Sequence, residues 1–311
     1  MTTTHSPERH HPVDATPVDT TIGVGVDGSV ESTVALAWAL ERSRRTGEPV
    51  RLVTVVEEEA GSMGIDFAEQ MTREASARIA AVGRSVRAER PDVAVELDVV
   101  HGPVAWALTH AVGPDDLLVV GTPAGDTVSD HVLGSRSVQV AAAARGPVMV
   151  VPPLVGTRRR GVVVGIETAG DVESLVPLGL AEAGALGEPL LFVHCAQQDG
   201  AGSKDVMAAV ENALAGVEAD PRVEVSTRLL HSDPVTGLTG LAAGASLLVL
   251  GRSRAPELNP LGTTCDRVLG RAPAPVLIAP IPAVTTAGIG IGTGDDHARR
   301  SSTGGRTSSS V

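Results

Sequence analysis

Residues 24–50, VGVDGSVESTVALAWALERSRRTGEPV, recur without a gap at residues 164–190, VGIETAGDVESLVPLGLAEAGALGEPL, an offset of 140 positions. Further on, HGPVAWALTHAVGPDDLLVVG (101–121) matches HSDPVTGLTGLAAGASLLVLG (231–251) at an offset of 130. LGSRSVQVAAAARGPVMVVP (133–152) then matches LGTTCDRVLGRAPAPVLIAP (261–280) at 128. The blocks keep their order, and the offsets shrink where loops shorten. A repeat this long is a duplicated domain and not a short-period solenoid.

Within the first copy, β-rich runs alternate with helical patterns. The strands read 21–27, 50–56, 93–100, 116–121 and 147–151, and the helices about 31–46, 66–90, 103–112 and 135–145. Pro103 suits a first helical turn and Gly47 a helix exit. Five strands alternating with four helices predict a doubly wound parallel α/β sheet, because right-handed crossovers place helices on both faces. The fold class is therefore α/β, with two tandem five-stranded, Rossmann-like domains. Their expected limits are 20–153 and 161–281, joined by a linker at 154–160. Residues 1–19 and 282–311 lack apolar periodicity and read as disordered tails.

Composition narrows the function. Of 311 residues, 42% are hydrophobic and 20% charged, as in an ordinary globular chain. The formal net charge of −12 argues against a nucleic-acid partner, which requires a basic surface. With no Tyr, two Trp and two Phe, a base-stacking platform for single strands cannot be built. No apolar run is long enough to span a bilayer, and the first twenty residues do not read as a secretory signal. Two cysteines make neither a disulfide framework nor a four-ligand zinc site. A cytoplasmic protein is expected, and Cys195 and Cys265 read as small buried hydrophobes.

Ligands of doubly wound sheets sit at the carboxyl ends of the strands, near the switch in strand order. There the chain places Gly25-Val26-Asp27 at the end of strand one. The Asp27 carboxylate can accept hydrogen bonds from a base or ribose, or Asp27 or Ser29 can simply cap the next helix. Gly23, Gly25 and Gly28 also satisfy GxGxxG, but the first two lie inside the strand rather than opening a helix, so a nicotinamide-type site is disfavoured. Strand four ends at Val120-Gly121, and Gly134-Ser135-Arg136-Ser137 opens an alanine-rich helix. Glycines there admit a close phosphate, and a helix start offers free N–H groups. Hydroxyls of Ser135 and Ser137 and the Arg136 charge add to that setting. His101 and His231, repeat-equivalent at the end of strand three, read as hydrogen-bonded loop histidines. The run Glu57-Glu58-Glu59 reads as a solvated acidic loop.

Taken together these residues resemble the universal stress protein family, whose members carry a strand-one aspartate and a G-x2-G-x9-G-[ST] motif before the last helix. Here the motif reads Gly121-Thr122-Pro123-Ala124, nine further residues, then Gly134-Ser135. Ala124 stands where the second glycine belongs, and Gly125 comes one residue late. The family's adenine contact at the end of strand two falls on Val55. The resemblance covers nearly all of 20–153 and 160–281. It implies an adenine-nucleotide site, for ATP with or without Mg, formed by Gly25, Val26, Asp27, Val55, Val120, Gly121, Ala124, Gly134, Ser135, Arg136 and Ser137. In the second copy Glu167 replaces Asp27, Thr168 replaces Gly28 and Arg254 occupies the second glycine position, so that site reads as degenerate.

No catalytic set is legible, and at most slow ATP hydrolysis is expected. The leading reading is a nucleotide-binding stress-response regulator with protein partners that the sequence does not specify. The alternative is an interaction module of the same fold without nucleotide, and an oxidoreductase ranks third. A fifth strand at a sheet edge must be paired or covered. In the resembling family it pairs with its counterpart across a two-fold axis, so 147–151 is expected antiparallel to 275–279, making the chain an intramolecular pseudo-dimer.

Overall fold

In the computed structural model the described residues are 20–57, 65–123, 136–153, 159–197, 201–217, 220–252, 259–271 and 273–281. The first copy runs β1 (Ile22–Gly25), α1 (Val30–Thr46), β2 (Val50–Val56), α2 (Ile65–Glu89), β3 (Val95–His101), α3 (Val104–His110), β4 (Leu117–Gly121), α4 (Arg136–Ala143) and β5 (Val148–Val151). The second repeats this as β6 (Val162–Gly165), α5 (Val172–Leu186), β7 (Leu190–Cys195), α6 (Ala201–Ala215), β8 (Val225–Leu230), α7 (Pro234–Ala242), β9 (Leu247–Gly251), α8 (Thr263–Leu269) and β10 (Val276–Ala279). Pro103 precedes α3 as its N-cap and is not its first turn.

Local chemistry sets the ends of α1. The Ser29 side chain accepts from the Ser32 N–H, Glu31 lies in the first turn, and Arg44 and Arg45 lie in the last. Gly47, at φ 78°, closes the helix and donates its N–H to the Ser43 carbonyl. Ser32, Ala35, Leu36, Ala39 and Ser43 form the buried stripe at helical spacing.

The strands form one ten-stranded sheet in the order β3-β2-β1-β4-β5-β10-β9-β6-β7-β8. Every pairing is parallel except that of β5 with β10, where Val150 faces Val276, Met149 faces Leu277 and Val148 faces Ile278. Both faces of β5 and β10 are buried, which explains their unbroken apolar content. Helices α1, α2, α5 and α6 cover one face and α3, α4, α7 and α8 the other, and each core layer runs through the seam from one copy into the other. No helix among the described residues is long and apolar enough to cross a membrane.

Candidate functional site

Strands β1 and β4 are neighbours, yet α1 leaves β1 on one face and α3 enters β4 from the other. The chain therefore parts at the carboxyl ends of these two strands, and a cavity of about 390 Å³ opens there. Eight of the expected residues line it: Gly25, Val26, Asp27, Val55, Val120, Gly121, Arg136 and Ser137. The other three, Ala124, Gly134 and Ser135, lie outside the described residues.

Its apolar wall is built from Val26, Val53, Val55, Val104, Leu108, Val120 and Val140. Leu108 packs so closely on β1 that a Cβ on Gly25 would lie 3.3 Å from it. The sequence reading missed Val104 and Leu108, although the repeat carried the signal: Leu108 recurs as Leu238, which lines the corresponding cavity of the second copy. The GxGxxG match has a packing explanation. A Cβ on Gly23 would come within 2.3 Å of Val112, so that glycine makes room for the α3–β4 connection.

Asp27 holds a dual position. Its Oδ1 accepts from the Ser29 N–H at 2.9 Å and the Ser29 hydroxyl at 2.6 Å, so it braces the residue that caps α1. Burial pushes this carboxyl up, but the bonds from Ser29 outweigh it and hold its pKa below the ordinary 3.8. Asp27 is nevertheless exposed on the cavity wall and is ionised at neutral pH. Thr54 steadies the strand end from behind, donating to the Val26 carbonyl at 2.7 Å.

Gly121 is required for close approach. A Cβ there would sit 2.2 Å from the Glu31 carbonyl oxygen, so only glycine lets β4 end against the first turn of α1. Beyond it, Ser137 Oγ turns inward and donates to Thr122 Oγ1 at 3.1 Å, in a buried contact. Arg136 stays exposed, with Nη2 at 3.4 Å from both carboxylate oxygens of Glu57. Glu57 is thus an ion-pair partner of the site, while Glu58 and Glu59 lie outside the described residues. His101 closes β3 with Nε2 3.0 Å from Thr72 Oγ1. No group of three or more His, Cys, Asp or Glu that can hold a metal ion occurs among the described residues.

The second copy keeps a cavity of about 340 Å³ at the same place, with altered walls. His194 stands where Thr54 does and repeats its contact, Nδ1 donating to the Ile166 carbonyl at 2.9 Å. Cys195 takes the place of Val55, Cys265 that of Ser137 and Thr264 that of Arg136. Only Cys265 is a buried hydrophobe as expected. Cys195 is half-buried on the cavity wall, because a thiol follows where the sheet ends and the cavity begins. Burial pushes the Cys265 thiol up to about 12. Arg254 lies outside the described residues.

Comparison with known proteins bears on both copies. The model of the universal stress protein family matches residues 20–152. A universal stress protein of Mycobacterium tuberculosis H37Rv is 27% identical over 272 residues, covering 83% of this chain and 95% of its own length. One of Mycolicibacterium smegmatis is 26% identical over 283 residues, covering 82% and 95%. Among solved structures, a universal stress protein from Archaeoglobus fulgidus DSM 4304 has a TM-score of 0.65 at 17% identity, covering 84% of this chain and 96% of its own. A protein of unknown function from Pseudomonas aeruginosa PAO1 has a TM-score of 0.54 at 14% identity, covering 85% and 92%. At these identities the two structures speak for the fold.

Proposed function

We propose that the chain is a universal stress protein, supported by the match of residues 20–152 to that family's model and by relatives over most of its length, and that its first copy binds an adenine nucleotide, ATP, as a stress-response regulator. The two domains of this reading span 20–153 and 161–281, in a cytoplasmic protein. The observation that carries it is the cavity at the ends of β1, β2 and β4, in which an ionised carboxylate, an apolar slot and an exposed guanidinium stand together.

Each part has a matching task. The valines and Leu108 enclose a flat base, whose burial is favourable without specific bonds. Asp27 accepts from ribose hydroxyls, since its carboxylate has acceptor capacity beyond the bonds from Ser29. Arg136 gives phosphates a cation once it leaves Glu57, and the motif assigns Gly134 and Ser135 to the phosphates in this reading. Mg accompanies the phosphates in this reading. In this reading occupancy of the site, rather than turnover, is the signal.

Isothermal calorimetry with ATP tests the assignment. Asp27→Ala is expected to weaken binding tenfold or more, on the order of 1.4 kcal/mol. An unchanged affinity, with the fold intact by circular dichroism, rejects it.

A further inference from the structure

The seam between the copies is symmetric in its backbone and asymmetric in its charge. Under the offset of 128, the repeat partners of Val148, Met149 and Val150 are Val276, Leu277 and Ile278. The observed register pairs these two triplets in reverse, with Met149 opposite its own equivalent Leu277. A local two-fold axis therefore passes between those two residues. All six side chains are buried and apolar, so the strand edge does not distinguish one copy from the other. By the edge alone, β5 fits a second β5 as well as it fits β10.

The helices beside the edge do distinguish them. Arg42 on α1 and Glu182 on α5 are also repeat-equivalent, at the offset of 140, and they meet across the same axis. Arg42 Nη1 donates to Glu182 Oε1 at 2.9 Å and Oε2 at 2.7 Å, with only 14% and 6% of the two side chains exposed. Arg42 Nε also donates to Glu48 Oε2 at 3.0 Å within its own copy. Helix α1 ends in Arg42, Arg44 and Arg45, whereas α5 carries no basic residue. A second contact is likewise one-way. Arg252, in the place of Thr122, donates to the carbonyls of Ala144 and Gly146 at the end of α4.

We infer that the seam face of each copy is built to accept the other copy and to reject its own kind. A pair of second copies would bury Glu182 against Glu182 with no cation on either α5. A pair of first copies would set Arg42 against Arg42, each answered by Glu48 alone, and would lose both carbonyl contacts of Arg252. Buried charges deprived of their partner are strongly unfavourable, while the paired arrangement is tolerated. A whole second chain can therefore join through this surface only by exchanging halves, first copy against second.

The test cleaves the folded full chain at a protease site introduced within residues 154–158. Unlabelled and nitrogen-15-labelled samples are mixed at a urea concentration where the labels scramble, and the pairs are weighed by native mass spectrometry. Wild type is expected to give first–second pairs only. Glu182→Arg is expected to loosen the pair at least a hundredfold, with each piece still folded by circular dichroism. The neutral triple variant Arg42→Gln, Glu182→Gln, Arg252→Thr removes both discriminating contacts, and pairs of like copies are expected to appear. Like pairs in the wild type overturn the inference. So does a Glu182→Arg pair as tight as wild type, or a neutral variant that remains strictly first–second.

Discussion

Val55 and Cys195 occupy equivalent positions, and that single exchange gives the second cavity a chemical reporter that the first lacks. Both cysteines of the chain line the second cavity, Cys195 half-buried and Cys265 buried; burial raises both thiols, Cys265 up to about 12, and Asp233 adds to the rise at Cys195. With iodoacetamide at pH 8, Cys195 is expected to be alkylated first, and Cys265 only when the protein unfolds. Peptide mass mapping that finds equal rates in the folded protein contradicts this placement. Asp27 shows how far single residues were legible. Its exposure at the end of a buried strand follows from the pattern of the sequence. Its bonds to Ser29 depend on side-chain rotamers, which the pattern does not encode. The inward turn of Ser137 towards Thr122 was hidden for the same reason, since a hydroxyl at a helix start is compatible with either direction.

At the scale of elements, the strands emerged from the sequence within a residue or two of their observed limits, because a run buried on both faces leaves little freedom of assignment. The duplication made each element readable twice. What stayed hidden were contacts between elements distant in sequence, such as Leu108 over Gly25 and Arg252 on the end of α4. Gly121 joins the two levels. It was singled out as a phosphate-motif glycine, and the structure gives it a packing duty between β4 and α1 as well. Gly121→Ala is expected to destabilise the chain by about 1–3 kcal/mol, the usual cost of overpacking a close contact. Urea unfolding without any nucleotide measures it. A midpoint equal to wild type leaves the glycine with no structural duty.

For the whole molecule, the two cavities lie on opposite sides of the seam, and the second has Thr264 in the place of the Arg136 guanidinium proposed to meet the phosphates. The full chain is accordingly expected to bind one ATP. Equilibrium dialysis that returns two equivalent sites would refute this asymmetry. The antiparallel contact of β5 with β10 has a consequence for how the protein can change. In an assembly of two identical polypeptides, every mutation is written twice, once on each side of the axis, and a residue on the axis meets its own replica. Here both sides are encoded in one reading frame but by separate codons. His194, Cys195 and Cys265 can therefore diverge from Thr54, Val55 and Ser137 without altering the other cavity, and a basic residue can face an acidic one where an identical pair would have to face itself.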